Sequence, residues 1–265
     1  MRPTLPLAFA AALLAAAPAG AATLIGLTAD NALVRIDSET RRAAAPTRIT
    51  GADGRVLGID QRPQDGKLWG VTERGQIVTI DPMNGRATQV ARLNTAFESG
   101  GRAVVDFNPV ANRLRLMGMS GVNLRVNVET GEAVRDGELK YAVGSANAET
   151  RPRITSGAYS NSVAPVAGAT PAPTTALYTI DTLLGVFNLQ APPNDGVQQV
   201  RGSLGMSLPA GVAFDILTDA RGMNRGFALV GATLHTVNLE TGAPSALGAV
   251  TGLPTAEVID IAAWR

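Results

Sequence analysis

The 265-residue sequence predicts an all-β chain, a β-propeller most simply built from five blades, and three observations carry that prediction. First, a strand ending in Ile or Val and then Asp or Asn recurs at Ile36-Asp37, Ile80-Asp81, Val126-Asn127, Ile180-Asp181 and Val237-Asn238. The copies lie roughly 45 to 55 residues apart, near the repeat of propeller blades. Second, each copy closes a short apolar run with period-two alternation and β-branched residues, such as Gln76-Ile77-Val78-Thr79-Ile80, which favours strand over helix. Third, Val258-Ile259-Asp260-Ile261-Ala262 copies an element that opens the other units but has no blade of its own to follow.

The corner residues come first. Asp or Asn at a strand end accepts a hydrogen bond from the backbone two residues on, and a later Gly takes the positive φ that closes the turn. Gly85, Gly131, Gly185 and Gly242 stand at that place, so these acidic and amide residues read as turn formers before ligands. The first copy has Arg41 instead, and its corner is expected to be looser or one residue different in length.

The element opening each unit comes next: Leu57-Gly58-Ile59-Asp60, Val104-Val105-Asp106-Phe107, Gly157-Ala158-Tyr159-Ser160 and Val212-Ala213-Phe214-Asp215-Ile216. The first unit, starting at Thr23-Leu24-Ile25-Gly26-Leu27, lacks it. The C-terminal strand is therefore expected to pair with the N-terminal blade, closing the ring and removing open sheet edges. Glu138 to Ile154 has no assigned place, and six blades is the alternative if it hides one. Val163 to Thr174 and Gln190 to Gly196 read as loops.

Residues 1–22 read as a secretory signal, with Arg2, an apolar run through Ala17 and small residues at Ala19-Gly20-Ala21, leaving residues 23–265 as one propeller domain. The chain is thus expected to be exported, periplasmic or extracellular, with no transmembrane segment in the mature part. Without Arg2 the 23 basic residues become 22, equal to the 22 acidic ones. Neutrality, no basic run, and Lys67 and Lys140 as the lysines argue against nucleic acid. With no Cys and only His235, thiolate and multi-histidine metal sites within one chain are excluded, and His235 inside a strand reads as packing. A monomer is expected.

Two constellations are candidate sites. Asp60, Asp106, Asp215 and Asp260 recur at one place in the repeat and would converge on the channel if their strands are innermost. Their repulsion could be relieved by Ca²⁺, which prefers oxygen ligands, or by Arg, and each Asp could instead bond strand-end amides. Asn108, Arg113, Arg115, Asn123, Arg125 and Asn127 form the second set; alternation puts Arg113 and Arg115 on one side of their strand, and the last three on one side of the next. Arg forks of this kind recognise carboxylate, sulfate or phosphate, and a solvated or Asp-paired face gives the same pattern. Trp69, Tyr141, Tyr159, Tyr178 and Trp264 are the aromatics able to stack on sugars.

Asp106-Phe107-Asn108-Pro109, Asn112-Arg113-Leu114-Arg115 and Asn123-Leu124-Arg125-Val126-Asn127 through Thr130-Gly131 resemble a bacterial secreted family known only as a domain of unknown function. The likeness spans nearly the whole mature chain, through Gly58-Ile59-Asp60, Arg62-Pro63 and the Pro192 to Gly196 turn. It implies an exported propeller and no reaction. Gln61 departs from a usual Phe, and Asn112 from an Asp whose loss weakens any cation site in that loop. The leading reading is a binding or interaction module for an envelope or extracellular ligand. The alternative is a hydrolase of glycosides or lactones using channel carboxylates.

Overall fold

The computed structural model describes residues 21–170, 172–208 and 211–265, so most of the expected signal segment lies outside the described residues. Five antiparallel sheets stand side by side. Blade 1 runs outward from Val258–Trp264 through Thr23–Thr28 and Ala32–Asp37 to the short pieces Arg42–Ala43 and Thr47–Arg48. Blade 2 holds Val56–Gln61, Leu68–Thr72, Gln76–Ile80 and Ala87–Arg92; blade 3 holds Ala103–Asn108, Arg113–Gly118, Asn123–Val126 and Ala133–Arg135. Blade 4 holds Ile154–Tyr159, Leu177–Asp181, Val186–Gln190 and Val197–Ser203, and blade 5 holds Ala213–Thr218, Asn224–Val230, Thr233–Val237 and Pro244–Ala249.

The first strand of each blade is innermost, and these five pack against one another in a closed ring. Closure is made as expected: Leu24 faces Ala263 and Gly26 faces Ile261 in an antiparallel ladder. The core lies between blades. Leu33, Ile49, Ile59 and Val78 fill the joint of blades 1 and 2, and Val105, Phe107 and Leu116 with Trp69 and Val71 fill that of blades 2 and 3. Burying each such side chain contributes roughly 1.5–3 kcal/mol, so the ring is held mainly by inter-blade apolar area.

Three expectations need correction. The phrase at Ile180-Asp181 is not equivalent to the other four. In blades 1, 2, 3 and 5 the corner follows the third strand from the channel, whereas Asp181 ends the second strand of blade 4. The equivalent outer corner of blade 4 is the Ala191 to Gly196 turn, with a cis Ala191-Pro192 bond. An Asp with a Gly four residues on is generic hairpin chemistry and does not mark which hairpin of a blade it closes.

The first corner is also not looser. Arg41 takes the left-handed conformation at φ 54° and donates its N–H to Asp37 O at 2.9 Å, matching Gly85 N–H to Asp81 O at 2.8 Å. At Gly85, Gly131 and Gly242 a glycine is required because those corners abut the preceding blade; a Cβ at Gly131 would stand 1.9 Å from the Arg92 carbonyl oxygen. Finally, Glu138 to Ile154 forms no sixth blade. Lys140–Tyr141 pairs in parallel with Val197–Ser203 as an extra outer strand of blade 4. Among the described residues no helix is long and apolar enough to cross a membrane.

Candidate functional site

Each inner strand is a period-two ribbon whose two faces look at the two neighbouring blades. On the blade 3 strand, Val105 and Phe107 face blade 2, so Asp106 between them faces blade 4. On the blade 2 strand, Ile59 packs toward blade 1 and Asp60 therefore turns to blade 3. The same alternation turns Asp215 to blade 1 and Asp260 to blade 2. Of the four carboxyls predicted to converge, Asp60, Asp106 and Asp215 come together, and all four are 5–8% exposed.

Every one of them accepts a hydrogen bond from the next blade's backbone. Asp260 Oδ2 receives Ile59 N–H at 2.8 Å, Asp60 Oδ2 receives Phe107 N–H at 2.7 Å, and Asp106 Oδ1 receives Tyr159 N–H at 2.8 Å. Asp215 Oδ2 receives Ala263 N–H at 2.5 Å. Asp60, Asp215 and Asp260 use their other oxygen on the amide of the following residue, Gln61, Ile216 or Ile261. Gly58 makes the close approach of Asp260 feasible, since a Cβ there would lie 2.9 Å from Asp260 Oδ2.

One oxygen each of Asp60, Asp106 and Asp215 lies within 4.8 Å of the others. Burial, then the neighbouring carboxylates, push Asp60 and Asp106 well above the usual range. Burial also raises Asp260 well above it and pushes Asp215 up to about 6. Asp215 accepts the Ala263 and Ile216 amides and feels Arg265, which together hold its rise in check. Carboxyls buried this close together favour holding protons over carrying full charge. The cluster can therefore hold protons, or accept a hard cation among its oxygens.

The Arg/Asn set divides. Arg115, Asn123 and Arg125 come together around Asp136, with Arg115 Nη1 at 2.6 Å and Arg125 Nε at 2.7 Å from Asp136 Oδ2. Arg115, 2% exposed, also donates to Asn123 Oδ1, Tyr159 Oη and Asn194 Oδ1, so this network ties blade 3 to blade 4. Asn108 and Asn127 accept amides of their own turns, from Val110 and Ala111 and from Glu129. Arg113 lies apart, exposed and bonded to the Asn112 carbonyl.

Sequence reasoning missed Arg62. Its guanidinium sits 5.5 Å from the Trp69 ring centre and 5.9 Å from that of Phe107, and it donates to Asn112 Oδ1, Asp65 and Glu129. Asn112, where the family resemblance leads one to expect Asp, thus serves a clamp between blades 2 and 3, in the left-handed conformation at φ 49°. His235 is buried, with Nδ1 at 3.1 Å from the Thr233 carbonyl.

A closed five-bladed propeller with a carboxyl-lined, amide-bonded centre is the class these features define. The chain belongs to the family described as a domain of unknown function, DUF4394, whose pattern matches residues 24–262. No curated protein matches it. Among solved structures it is similar to a protein of unknown function from Bacteroides thetaiotaomicron VPI-5482, at 15% identity and TM-score 0.52, covering 93% of this chain and 65% of that one. A second such protein, from Bacteroides caccae, gives 12% identity and TM-score 0.44, covering 87% and 74%. An auxiliary nutrient binding protein from Bacteroides ovatus ATCC 8483 gives 13% identity and TM-score 0.42, covering 83% and 58%. The first of these likenesses supports the propeller fold and nothing further.

Proposed function

We propose that this chain is an exported binding module whose ring is a rigid scaffold and whose outer clefts recognise a ligand of the envelope or the extracellular space. The observation that carries this reading is the commitment of all four channel aspartates to amides across blade joints. A hydrolase needs two unequal acids facing a substrate at a set separation. Asp106 and Asp215 are both only 5% exposed, and each is committed to an amide of the next blade. Export is supported by the pattern of residues 1–22.

The test is to immobilise residues 23–265, probe envelope polysaccharides and proteins, and assay glycoside and lactone turnover in parallel. The binding reading expects saturable retention of a ligand that persists in Asp60→Asn and Asp106→Asn. Turnover that disappears in those folded variants would establish the hydrolase instead. A second reading of the centre, a bound divalent cation, is favoured by the three carboxylate oxygens within 4.8 Å of one another, and calcium suits that donor set.

A further inference from the structure

A cleft of about 480 Å³ opens between blades 1 and 2, lined on the blade 2 side by Lys67, Thr79, Asp81, Arg86 and Thr88 and on the blade 1 side by Trp264. We infer that this cleft binds a carboxylate-bearing saccharide, its ring lying on Trp264 and its carboxylate between Lys67 and Arg86; the inference rests on the binding-module reading and names the ligand class.

Blade 2 brings the polar groups into one row. Leu68 faces Ile80, which faces Ala87, so Lys67, Asp81 and Arg86 follow one another across three strands at the end of the sheet. The Asp81 carboxylate is occupied locally, Oδ1 by Met83 N–H at 2.8 Å and Oδ2 by the Asn84 amide at 2.7 Å. Neither Lys67 nor Arg86 forms an ion pair with it, and among the described residues both cationic heads are without a partner. Two cations beside one acid whose oxygens are already used leave the row with an excess of positive charge aimed at an anion.

Trp264 supplies the other half. It packs against the apolar core between blades 1 and 2 and is only partly buried, so the indole is held by the core while part of it borders the cleft. Its N–H has no acceptor among the described residues, and the Thr79 and Thr88 hydroxyls are likewise unbonded. A rigid ring, free hydroxyls and a free indole N–H match the apolar face and hydroxyl rim of a sugar. The cations add the requirement for a carboxylate. A cleft of this size suits a mono- or disaccharide.

The experiment is isothermal titration of the mature protein with digalacturonate, with neutral galactobiose, and with acetate. The inference expects saturable binding of digalacturonate, at least about tenfold weaker binding of galactobiose, and negligible competition by acetate. Raising the salt should weaken the acidic ligand and leave the neutral one unchanged. Lys67→Met with Arg86→Met should lower digalacturonate affinity about tenfold or more at unchanged unfolding temperature. Trp264→Ala should abolish binding, and Trp264→Phe, which keeps the packing, should weaken it. Equal affinity for the two disaccharides, competition by acetate as strong as by digalacturonate, or full affinity in the double variant would overturn it. Retention of some other envelope ligand without digalacturonate binding overturns this inference alone, whereas no ligand retained at all overturns the binding-module reading with it.

Discussion

The joint between blades 4 and 5 differs from the other four. At those four an aspartate reaches across to a neighbouring inner-strand amide; in blade 4 the residue preceding Tyr159 is Ala158, where blade 3 has Asp106 before Phe107. The fourth unit instead closes its joint at the channel mouth. Ser162 donates to the Ile216 carbonyl at 2.9 Å, Asn161 and Asn224 exchange hydrogen bonds, and Arg265 reaches both Thr218 O and Ser162 Oγ. The difference teaches that an acid is not needed to join two blades. With three carboxylates already within reach of one another, a further one at blade 4 would add repulsion in a buried place.

Substitutions at the two kinds of joint should therefore separate. The largest effect is expected at the joint of blades 3 and 4, where Arg115→Ala strips a buried guanidinium from Asp136 and Tyr159 and should cost about 3–5 kcal/mol in denaturant unfolding. Asp106→Ala leaves the Tyr159 N–H buried without an acceptor, and a loss of roughly 2–3 kcal/mol is expected. Ser162→Ala, at the joint that lacks an aspartate, should cost about 1 kcal/mol, since its neighbours keep other partners. An equal loss for Asp106→Ala and Ser162→Ala would erase the distinction between the joints.

The carboxyl joints should also make stability depend on pH in an unusual direction. Asp215 rises from an ordinary 3.8 to about 6 in the fold, and burial pushes Asp60, Asp106 and Asp260 well above the usual range too. From about pH 4 upward the native state then holds more protons than the unfolded one, so stability falls as pH rises through 6 and beyond. Half-buried Asp37 and Asp53, held low by the Thr40 amide and by Arg92 and Arg74, act in the opposite sense and only toward pH 4 and below. A melting temperature that climbs from pH 5 to pH 8 would contradict this.

Much of the fold was legible because propeller blades write their hairpins and inner strands into the chain at a steady interval. The closing strand was legible for the same reason, as an opening element at Val258 with nothing after it. What was not legible depends on pairings that spacing cannot reveal. Asp181 carries the same turn phrase as Asp81, yet it is fully buried and accepts the Tyr141 hydroxyl at 2.6 Å, a partner supplied by the segment that had no assigned place. The aspartates announced a shared centre through their repeat position. The Arg115 network did not announce its acid, because Asp136 belongs to no repeated motif and reaches Arg115 only where the chain after Arg135 meets blade 4, with Gly137 N–H on the Asn194 carbonyl.

The most direct test of the central claim, that protons and backbone amides hold the carboxyl ring together, is the melting temperature of Asp106→Asn beside the unsubstituted protein at pH 8, with chelator and then with Ca²⁺. An amide at position 106 keeps an acceptor for the Tyr159 N–H and removes one ionisable carboxyl from the cluster. The account predicts that Asp106→Asn melts at least as high as the unsubstituted protein and that Ca²⁺ shifts neither. A Ca²⁺-dependent rise in the unsubstituted protein that Asp106→Asn abolishes would contradict it and make the ring a metal centre.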